Sequence, residues 1–485
     1  MRGLLGVANV LGSLLALFAL YFLLPVAASL LYREPATVPF LGCGAAVGAL
    51  GLLLRLLTAR FQTELKPRDG YVLVSLGWLA VTAAGAVPFM VLFPRLGFTD
   101  AFFESMSSLS TTGSTVLSGL DSLPHSLNLW RHALSWLGGM SIIVLAVAVL
   151  PLLGVGGMQM YRAETPGPVK DAKLTPRIIE ATKLLWLVYA GLTAVCAAAY
   201  WIAGMPAFDA LCHAFSTLSL SATSTHDRSI GYFESPQIEF VAVLFMLVSA
   251  INFSTHFVAL RKRAFGQYGR DPEARWTMLW IVASCIGLAS FIYELRIYPD
   301  YLSALRQVTF NVVSVSTTTG YVSTDYGQWP IFAPLWMLFL SCICASTGSP
   351  GGGLKLFRTL VLIKQSFREM FTLVHPQAVA PLKINALVVP SRVVNSVLAF
   401  IFVYFMAILT LTFALLASGL DLVSSLSAII ASINNVGPGL GIVGPAGNYG
   451  GLSDFQTWMC IVAMFLGRIE IFTALVLFTP TFWRK

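Results

Sequence analysis

Long apolar stretches separated by short polar breaks are the dominant pattern of this chain. Ten of them reach about 20 residues, enough for a helix to cross a hydrocarbon core of roughly 30 Å. Four shorter apolar segments lie between them. The first stretch, Leu4 to Leu31, is too long for the apolar part of a signal peptide and lacks a small-residue cleavage pattern. The pattern therefore predicts an all-α polytopic membrane protein that begins with two transmembrane helices.

The later stretches repeat one arrangement four times: an outward helix, a short segment rich in Ser, Thr and Gly, and a return helix. The predicted outward helices are residues 70–92, 184–203, 276–297 and 393–417, and the predicted return helices are residues 132–153, 238–260, 331–360 and 457–479. We therefore expect two N-terminal helices in residues 1–69, followed by four pseudo-symmetric units. These units are residues 70–183, 184–275, 276–392 and 393–485.

Each short segment contains a tetrad at the same place. The tetrads are Ser110–Gly113, Ser219–Ala222, Thr317–Gly320 and Asn434–Gly437. They recur about every 100 residues, a period too long for a solenoid. The apolar stretch before each tetrad is too short to span a bilayer, so it predicts a half-helix that enters the membrane and stops. Asp100, Asp209 and Asp421 stand where such helices begin and suit N-capping, whereas Asp300 comes a few residues early.

Four loops of this composition at the membrane centre suit a cation that has lost its water. Backbone carbonyls on short loops replace hydration oxygens without burying a fixed charge, and Gly allows the dihedral angles that aim them inward. The C-termini of half-helices are partially negative, which favours a cation there. The candidate ion-binding residues are Thr111, Thr112, Gly113, Leu220, Ser221, Ala222, Thr318, Thr319, Gly320, Asn435, Val436 and Gly437. The sequence thus predicts a central pore with a ring of four loops.

The third return helix contains a segment that is incompatible with a continuous helix. It comprises Ser346, Thr347, Gly348, Ser349, Pro350, Gly351, Gly352 and Gly353. Gly and Pro at this density break a helix, either as a packed kink or as a loop in the ion path. Arg468 lies within the fourth return helix, and an intramembrane charge is a functional candidate. We expect Arg468 to face the pore and bond to this loop, not to pair with Glu470.

The net charge of +8 reflects membrane topology and not nucleic-acid binding. Most of the basic residues fall into four loop regions, residues 55–68, 162–183, 261–275 and 355–392, and the two termini. Placing these regions in the cytoplasm puts both termini inside. The seven cysteines lack metal-ligand spacing, and the six histidines fall in separate segments without an enzyme motif. We therefore expect neither an enzyme nor a resident cofactor.

From end to end the chain resembles the TrkH family within the TrkH, KtrB and HKT superfamily of potassium transporters. The resemblance rests on the Thr-Thr-Gly near Gly113 and on PGPVKDAKLTPRI (166–178), STHD (224–227), NNVGPGLG (434–441) and GRIEIFTALVLFTPTFW (467–483). It implies gated K⁺ uptake across the bacterial inner membrane by a homodimer with one pore per subunit. It also implies that residues 346–353 obstruct the pore, and that a cytosolic nucleotide-binding ring, TrkA, regulates it.

Ala222 departs from this family, which usually carries Gly in the second filter loop. In HKT relatives, Ser in place of one filter Gly accompanies Na⁺ preference, so a K⁺/Na⁺ transporter of relaxed selectivity is one alternative. An ion-coupled K⁺ symporter is another. Glu104 is the candidate coupling carboxylate for the symporter, although the same side chain is placed to brace the filter.

Overall fold

The computed structural model describes residues 2–61, 66–144, 174–384 and 387–484. These residues are mostly helical, which confirms the predicted all-α class. Within them the only sheet is a two-stranded hairpin of β1 (Lys383–Ile384) and β2 (Leu387–Val388). Six described helices are long and apolar enough to cross a membrane, or eight spans if each of two bent helix pairs is counted once. The chain is therefore a multi-pass membrane protein.

The N-terminal helices form a tightly packed pair beside the first unit. The first span consists of α1 (Arg2–Ala19) and α2 (Leu23–Leu31), and the second contains α3 (Thr37–Thr58). Gly12 and Gly51 let α1 and α3 approach closely, since a Cβ on Gly12 would lie 2.7 Å from the carbonyl oxygen of Gly51. The Tyr21 hydroxyl, between α1 and α2, donates to the carbonyl oxygen of Ala133 at 2.7 Å. This bond ties the N-terminal helices to the first return helix.

The remaining helices are grouped here by the four units that the sequence predicts. The first unit contains α4 (Pro67–Leu92), α5 (Phe98–Leu109) and α6 (His125–Val144). The second contains α7 (Leu174–Ile202), α8 (Ala207–Ser219), α9 (Pro236–Ala250), α10 (Phe253–Lys262) and the short α11 (Gly266–Arg270). The third contains α12 (Pro272–Glu294), α13 (Tyr301–Ser316), α14 (Phe332–Ile343) and α15 (Leu356–Val374). The fourth contains α16 (Ser391–Ala417), α17 (Leu422–Ile433), α18 (Asp454–Arg468), α19 (Ile471–Leu475) and α20 (Pro480–Trp483).

The outward helices α4, α7, α12 and α16 all begin earlier than the apolar pattern indicates. In α4 and α12 the first turn contains proline and charged residues, and proline favours a helix start although it lies outside the apolar pattern. Pro67 and Pro272 occupy the first turns of α4 and α12, and the Asp271 carboxylate caps α12 by accepting from the Glu273 N–H at 3.0 Å. The first return helix, α6, also begins early, and residues 145–153 of its predicted span lie outside the described residues.

The predicted half-helices are α5, α8, α13 and α17, and their C-terminal residues are almost completely buried. The capping pattern differs in part from the prediction. Asp421 caps α17 through the Ser424 N–H, and Asp300 caps α13 through the Ser303 N–H, both within 3 Å. Asp100 and Asp209 are not caps, because each is the third residue of its helix. Their carboxylates are therefore available for other contacts.

Within the described residues three return helices are broken, of which the sequence predicted only the third. The third is interrupted between α14 and α15, at residues 344–355. The prediction of continuous second and fourth return helices is wrong, because α9 and α10 meet at 94° and α18 and α19 at 109°. At the first bend Asn252 starts a new helix by accepting from the Ser254 N–H, and at the second Glu470 adopts a left-handed φ of 64°. Neither break contains Gly or Pro, so composition does not reveal it.

Candidate functional site

The first three residues of the four tetrads share one backbone conformation at the ends of the half-helices. The second residue of each is left-handed, with φ of 61° at Thr111, 54° at Leu220, 62° at Thr318 and 53° at Asn435. The third residue of each donates its N–H to the carbonyl five residues earlier. These bonds join Thr112 to Ser107, Ser221 to Ser216, Thr319 to Ser314 and Val436 to Ala431, at 2.8–2.9 Å. The backbone thus leaves each of the four half-helices in the same way.

The four tetrads also lie against one another. A Cβ on Gly113 would overlap the backbone nitrogen of Ala222, and a Cβ on Gly320 would overlap the carbonyl oxygen of Val436. A Cβ on Gly437 would stand 2.8 Å from the carbonyl oxygen of Thr112. The last residues of all four tetrads line a single cavity that is open to solvent. Tetrads far apart in sequence therefore surround one space.

Ala222 makes the second loop different from the other three. Gly113, Gly320 and Gly437 have positive φ, at 79°, 79° and 108°, whereas Ala222 does not adopt a positive φ. A methyl group is unfavourable in the left-handed region, and this explains the change of conformation. The Cβ of Ala222 lies 2.6 Å from the place that a Cβ on Gly437 would take. One methyl group is thus present where the other loops carry none.

Hydroxyl and amide side chains hold the tetrads from within. The hydroxyls of Ser110 and Thr112 are 2.7 Å apart, and those of Thr317 and Thr319 are 2.8 Å apart. The Asn435 amide donates to the Thr112 hydroxyl at 2.9 Å and so connects the fourth loop to the first. These side chains bond to one another, which leaves the backbone carbonyls as the groups suited to an ion.

A second set of contacts holds the chain just after each of the first three tetrads. It comes from the residue six positions before the tetrad: Glu104, His213 and Asn311. Glu104 accepts from the Thr115 hydroxyl and the Val116 N–H, at 2.5 and 2.6 Å. His213 bonds to the Ser224 hydroxyl at 3.0 Å, and the Asn311 amide donates to the Ser323 hydroxyl at 3.0 Å. Each polar side chain links a half-helix to the segment that leaves the ring.

Arg131 on α6 is a buried cation that the sequence analysis missed. Its Nε lies 3.4 Å from Glu104, and its Nη1 donates to the carbonyl oxygen of Ser224 at 3.1 Å. Both side chains are almost fully buried, so each needs the other's charge. The sequence does show an arginine near the start of an apolar helix and a glutamate on a half-helix. Only the fold brings the two together.

His226 lines the cavity and contacts two carboxylates, one after the first tetrad and one on α8. Its Nδ1 lies 2.5 Å from the Asp121 carboxylate, and its Nε2 lies 3.5 Å from that of Asp209. Partial burial alone lowers the pKa of His226, but the bonds to Asp209 and Asp121 outweigh this effect and raise the pKa above the usual 6.5. The bond from His226 holds the pKa of Asp121 below its usual value despite some burial. The protonated imidazole therefore stabilises these two contacts.

The segment of residues 346–353 lies directly beneath the third tetrad. The Gly352 N–H donates to the Thr318 hydroxyl at 2.9 Å, and a Cβ on Gly352 would overlap the carbonyl oxygen of Asn434. Arg468 donates from Nη1 to the carbonyl oxygen of Pro350 at 2.6 Å and from Nη2 to that of Gly138 at 3.0 Å. Arg468 thus connects this segment to α6.

Other charged residues hold the same segment, and the sequence analysis did not assign them. The Glu273 carboxylate accepts from the Thr347 N–H at 2.6 Å. The Lys355 ammonium donates to the carbonyl oxygens of Ser349 and Gly351. Glu470 pairs with Arg358 at 2.5 Å and not with Arg468. Their positions at helix ends are ordinary for basic and acidic residues, so the sequence carries no clear signal for these contacts.

The described part of the chain contains no group of three or more His, Cys, Asp or Glu side chains arranged for a metal ion. The groups available to a cation at the ring are therefore backbone carbonyls and hydroxyls. These are hard oxygen donors without net charge, which suit an alkali cation in transit better than a tightly bound divalent metal.

Comparison with known proteins shows the family of this chain. Residues 40–485 match the family model TrkH, described as a cation transport protein. The chain is 45% identical over 482 residues to the Trk system potassium uptake protein TrkH of Vibrio parahaemolyticus, covering 99% of each. It is 44% identical over 483 residues to TrkH of Escherichia coli, again covering 99% of each.

A solved structure gives the same result for the fold. The crystal structure of the potassium transporter TrkH from Vibrio parahaemolyticus superposes with a TM-score of 0.91 at 42% identity. The match covers 99% of this chain and 100% of that one. The relatives are named as transporters, so the prediction that the chain is not an enzyme is confirmed. The chain belongs to the TrkH family of cation transport proteins.

Proposed function

We propose that this chain carries K⁺ into the bacterial cell through a pore whose selectivity ring is formed by the last three residues of the four tetrads. The observation that carries the proposal is the convergence on a single cavity of four tetrads that share one backbone conformation up to their third residue. A ring of this kind replaces the hydration shell of an alkali cation. The names of the relatives support K⁺ as the transported ion.

Electrostatics favours a cation at the ring even though the tetrads carry no formal charge. Four half-helices end there, and their partially negative C-termini face the space between the tetrads. An inside-negative membrane potential favours inward movement by about 2.3 kcal/mol per 100 mV for each charge. Uptake down this gradient needs no further energy source.

Residues 346–353 are proposed as the gate, with Arg468 holding it closed. The support is their position beneath the third and fourth tetrads and the two bonds of Arg468, to Pro350 and Gly138. The bonds of Arg468 connect the segment to a different unit, so opening requires that they break. A hydrogen bond to a charged group contributes about 1.5–3 kcal/mol, which stabilises the closed state but remains reversible.

The contacts of Glu104 argue against the ion-coupled symporter. A coupling carboxylate has to exchange partners with the ion or proton, whereas Glu104 accepts from Thr115, Val116 and Arg131. These partners suit a fixed brace. The conformation of Ala222 keeps relaxed selectivity as the second candidate function, because one of the four loops departs from the geometry of the other three.

The arrangement in the cell follows the family resemblance and the distribution of charge. We place the chain in the inner membrane with both termini in the cytoplasm, since the basic regions lie between units and at the termini. We also propose a homodimer with one pore per subunit, regulated by a cytosolic ring of nucleotide-binding TrkA-like subunits. The division into four units at residues 70, 184, 276 and 393 belongs to the same proposal.

Flux measurements on the purified protein in liposomes test this function. Uptake of K⁺, Rb⁺, Na⁺ and Li⁺ is compared with and without the cytosolic partner. We expect K⁺ and Rb⁺ to exceed Na⁺ and Li⁺, and the partner to increase the flux. Gly437→Ala, whose new Cβ would stand 2.6 Å from that of Ala222, should lower the preference for K⁺, whereas Gly191→Ala, in open space, should not. Absence of K⁺ flux above empty liposomes in every condition would refute the proposal.

A further inference from the structure

The second tetrad lacks two constraints that the first and third tetrads share. Its last residue is Ala222 and not a left-handed Gly. Its first residue, Ser219, donates its hydroxyl to the carbonyl oxygen of Ser216 at 3.1 Å and does not bond to the third residue. In the first and third tetrads the first and third hydroxyls bond to each other. The Ser221 hydroxyl is therefore free to bond elsewhere.

Ser221 instead belongs to a cluster of three buried hydroxyls. The Ser221 hydroxyl is 2.9 Å from that of Thr223 and donates to that of Ser135 at 3.2 Å. The hydroxyls of Ser135 and Thr223 are 3.1 Å apart, which closes the triangle. Ser135 donates to the carbonyl oxygen of Arg131, so its lone pairs remain available to the two filter-loop hydroxyls. Ser221 and Thr223 flank Ala222, and the cluster therefore anchors the loop on both sides of the exceptional residue.

Ser135 belongs to a helix that is in direct contact with two loops of the ring. On α6, a Cβ on Gly138 would overlap the carbonyl oxygen of Leu109, and a Cβ on Gly139 would stand 2.7 Å from the Cβ of Ser219. There is therefore little room for α6 to move relative to the first and second tetrads. A hydroxyl on this helix is a fixed point for the second loop.

The corresponding positions of the other return helices carry no hydroxyl. The residue before the first, second and fourth tetrads presents its carbonyl to a return helix: Leu109 to Gly138, Leu218 to Ser249 and Ile433 to Gly467. On each of these return helices we compare the position three residues before the contact. This position is Ser135 on α6, Met246 on α9 and Met464 on α18. The third return helix is broken in this region. Among these three helices, only α6, beside the Ala222 loop, carries a hydroxyl at this position.

We propose that Ser135 is a positioning residue for ion selectivity, because its hydroxyl anchors the second filter loop through Ser221 and Thr223. This inference rests on the proposed function of the ring. Ser135 does not contact the ion: it acts through the orientation of the Ser221 carbonyl, which the other loops control with a left-handed Gly. Loss of the anchor leaves one carbonyl of four mobile, and a mobile ring adapts to the smaller Na⁺.

The test compares hydroxyl variants in full-length protein reconstituted into liposomes. Ser135→Ala should lower the K⁺ over Na⁺ flux ratio about fivefold, the factor equivalent to about 1 kcal/mol for one hydrogen bond. Ser135→Thr keeps the hydroxyl and should keep the ratio. Ser141→Ala is the matched control, since this hydroxyl on the same helix donates to the carbonyl oxygen of Leu137 and contacts no tetrad in the described structure.

A second variant covers the case in which Ser135→Ala does not fold. Thr223→Val removes the partner hydroxyl while keeping the side-chain volume, and it should lower the ratio by a similar factor. In a double variant the two effects should be less than additive, because both remove the same contact. A wild-type ratio in either folded single variant overturns the inference. If Gly437→Ala leaves the ratio unchanged as well, the proposed ring fails; if Gly437→Ala lowers it, only the role of Ser135 fails.

Discussion

Gly320 offers the most direct test of the ring, because the effect of a single methyl group there can be worked out from the structure. Its φ is 79°, a left-handed conformation that costs an alanine about 1–2 kcal/mol. A Cβ at this position would also stand 1.7 Å from the carbonyl oxygen of Val436, a backbone atom that no side-chain rotation can move away. The third and fourth loops must therefore separate by about 1.5 Å or more to reach an ordinary contact.

We expect Gly320→Ala to lower the K⁺ over Na⁺ flux ratio by about tenfold or more, since a carbonyl displaced this far no longer matches K⁺ and tenfold corresponds to only about 1.4 kcal/mol. The assay is flux of each ion into liposomes that contain equal amounts of purified protein. Gly287→Ala is the control, because it lies on α12 of the same unit and its new Cβ has no heavy atom within 4 Å. A folded Gly320→Ala protein with wild-type flux and ratio would refute the assignment of Gly320 to the ring.

Three further predictions concern Ala222 in the second loop, Arg468 at the proposed gate and His226 beside the cavity. Ala222→Gly should raise the K⁺ over Na⁺ flux ratio by allowing the left-handed conformation of the other loops, and equal ratios would contradict this role. Arg468→Ala removes the bonds to the Pro350 and Gly138 carbonyls and should increase the basal flux measured without the cytosolic partner; unchanged basal and activated flux would count against the gate. Because the pKa of His226 is raised, its stabilisation is complete below the unfolded pKa of about 6.5 and is lost as the pH rises through the higher folded-state pKa. The melting temperature of wild type should therefore exceed that of His226→Gln by more at about pH 5.5 than at about pH 9, and a pH-independent difference would exclude this explanation.

Much of the architecture can be read from the amino-acid sequence, because the properties involved are local. A membrane span depends on the apolar character of about 20 consecutive residues. The four tetrads can be found because each follows a short apolar stretch and recurs at a similar distance. The break at residues 346–353 is visible because Gly and Pro oppose a helix. The structure bears out the helical class and places the tetrads at the ends of half-helices.

Contacts between distant parts of the chain depend on the folded arrangement alone. Arg131 meets Glu104, and Ser135 meets Ser221 and Thr223, only because α6 packs against the first and second loops. The bends at Asn252 and Glu470 contain no helix-breaking composition, so tertiary contacts override local helix propensity there. A hydrogen bond requires two groups within about 3 Å, and sequence spacing does not specify which residues of different helices come that close.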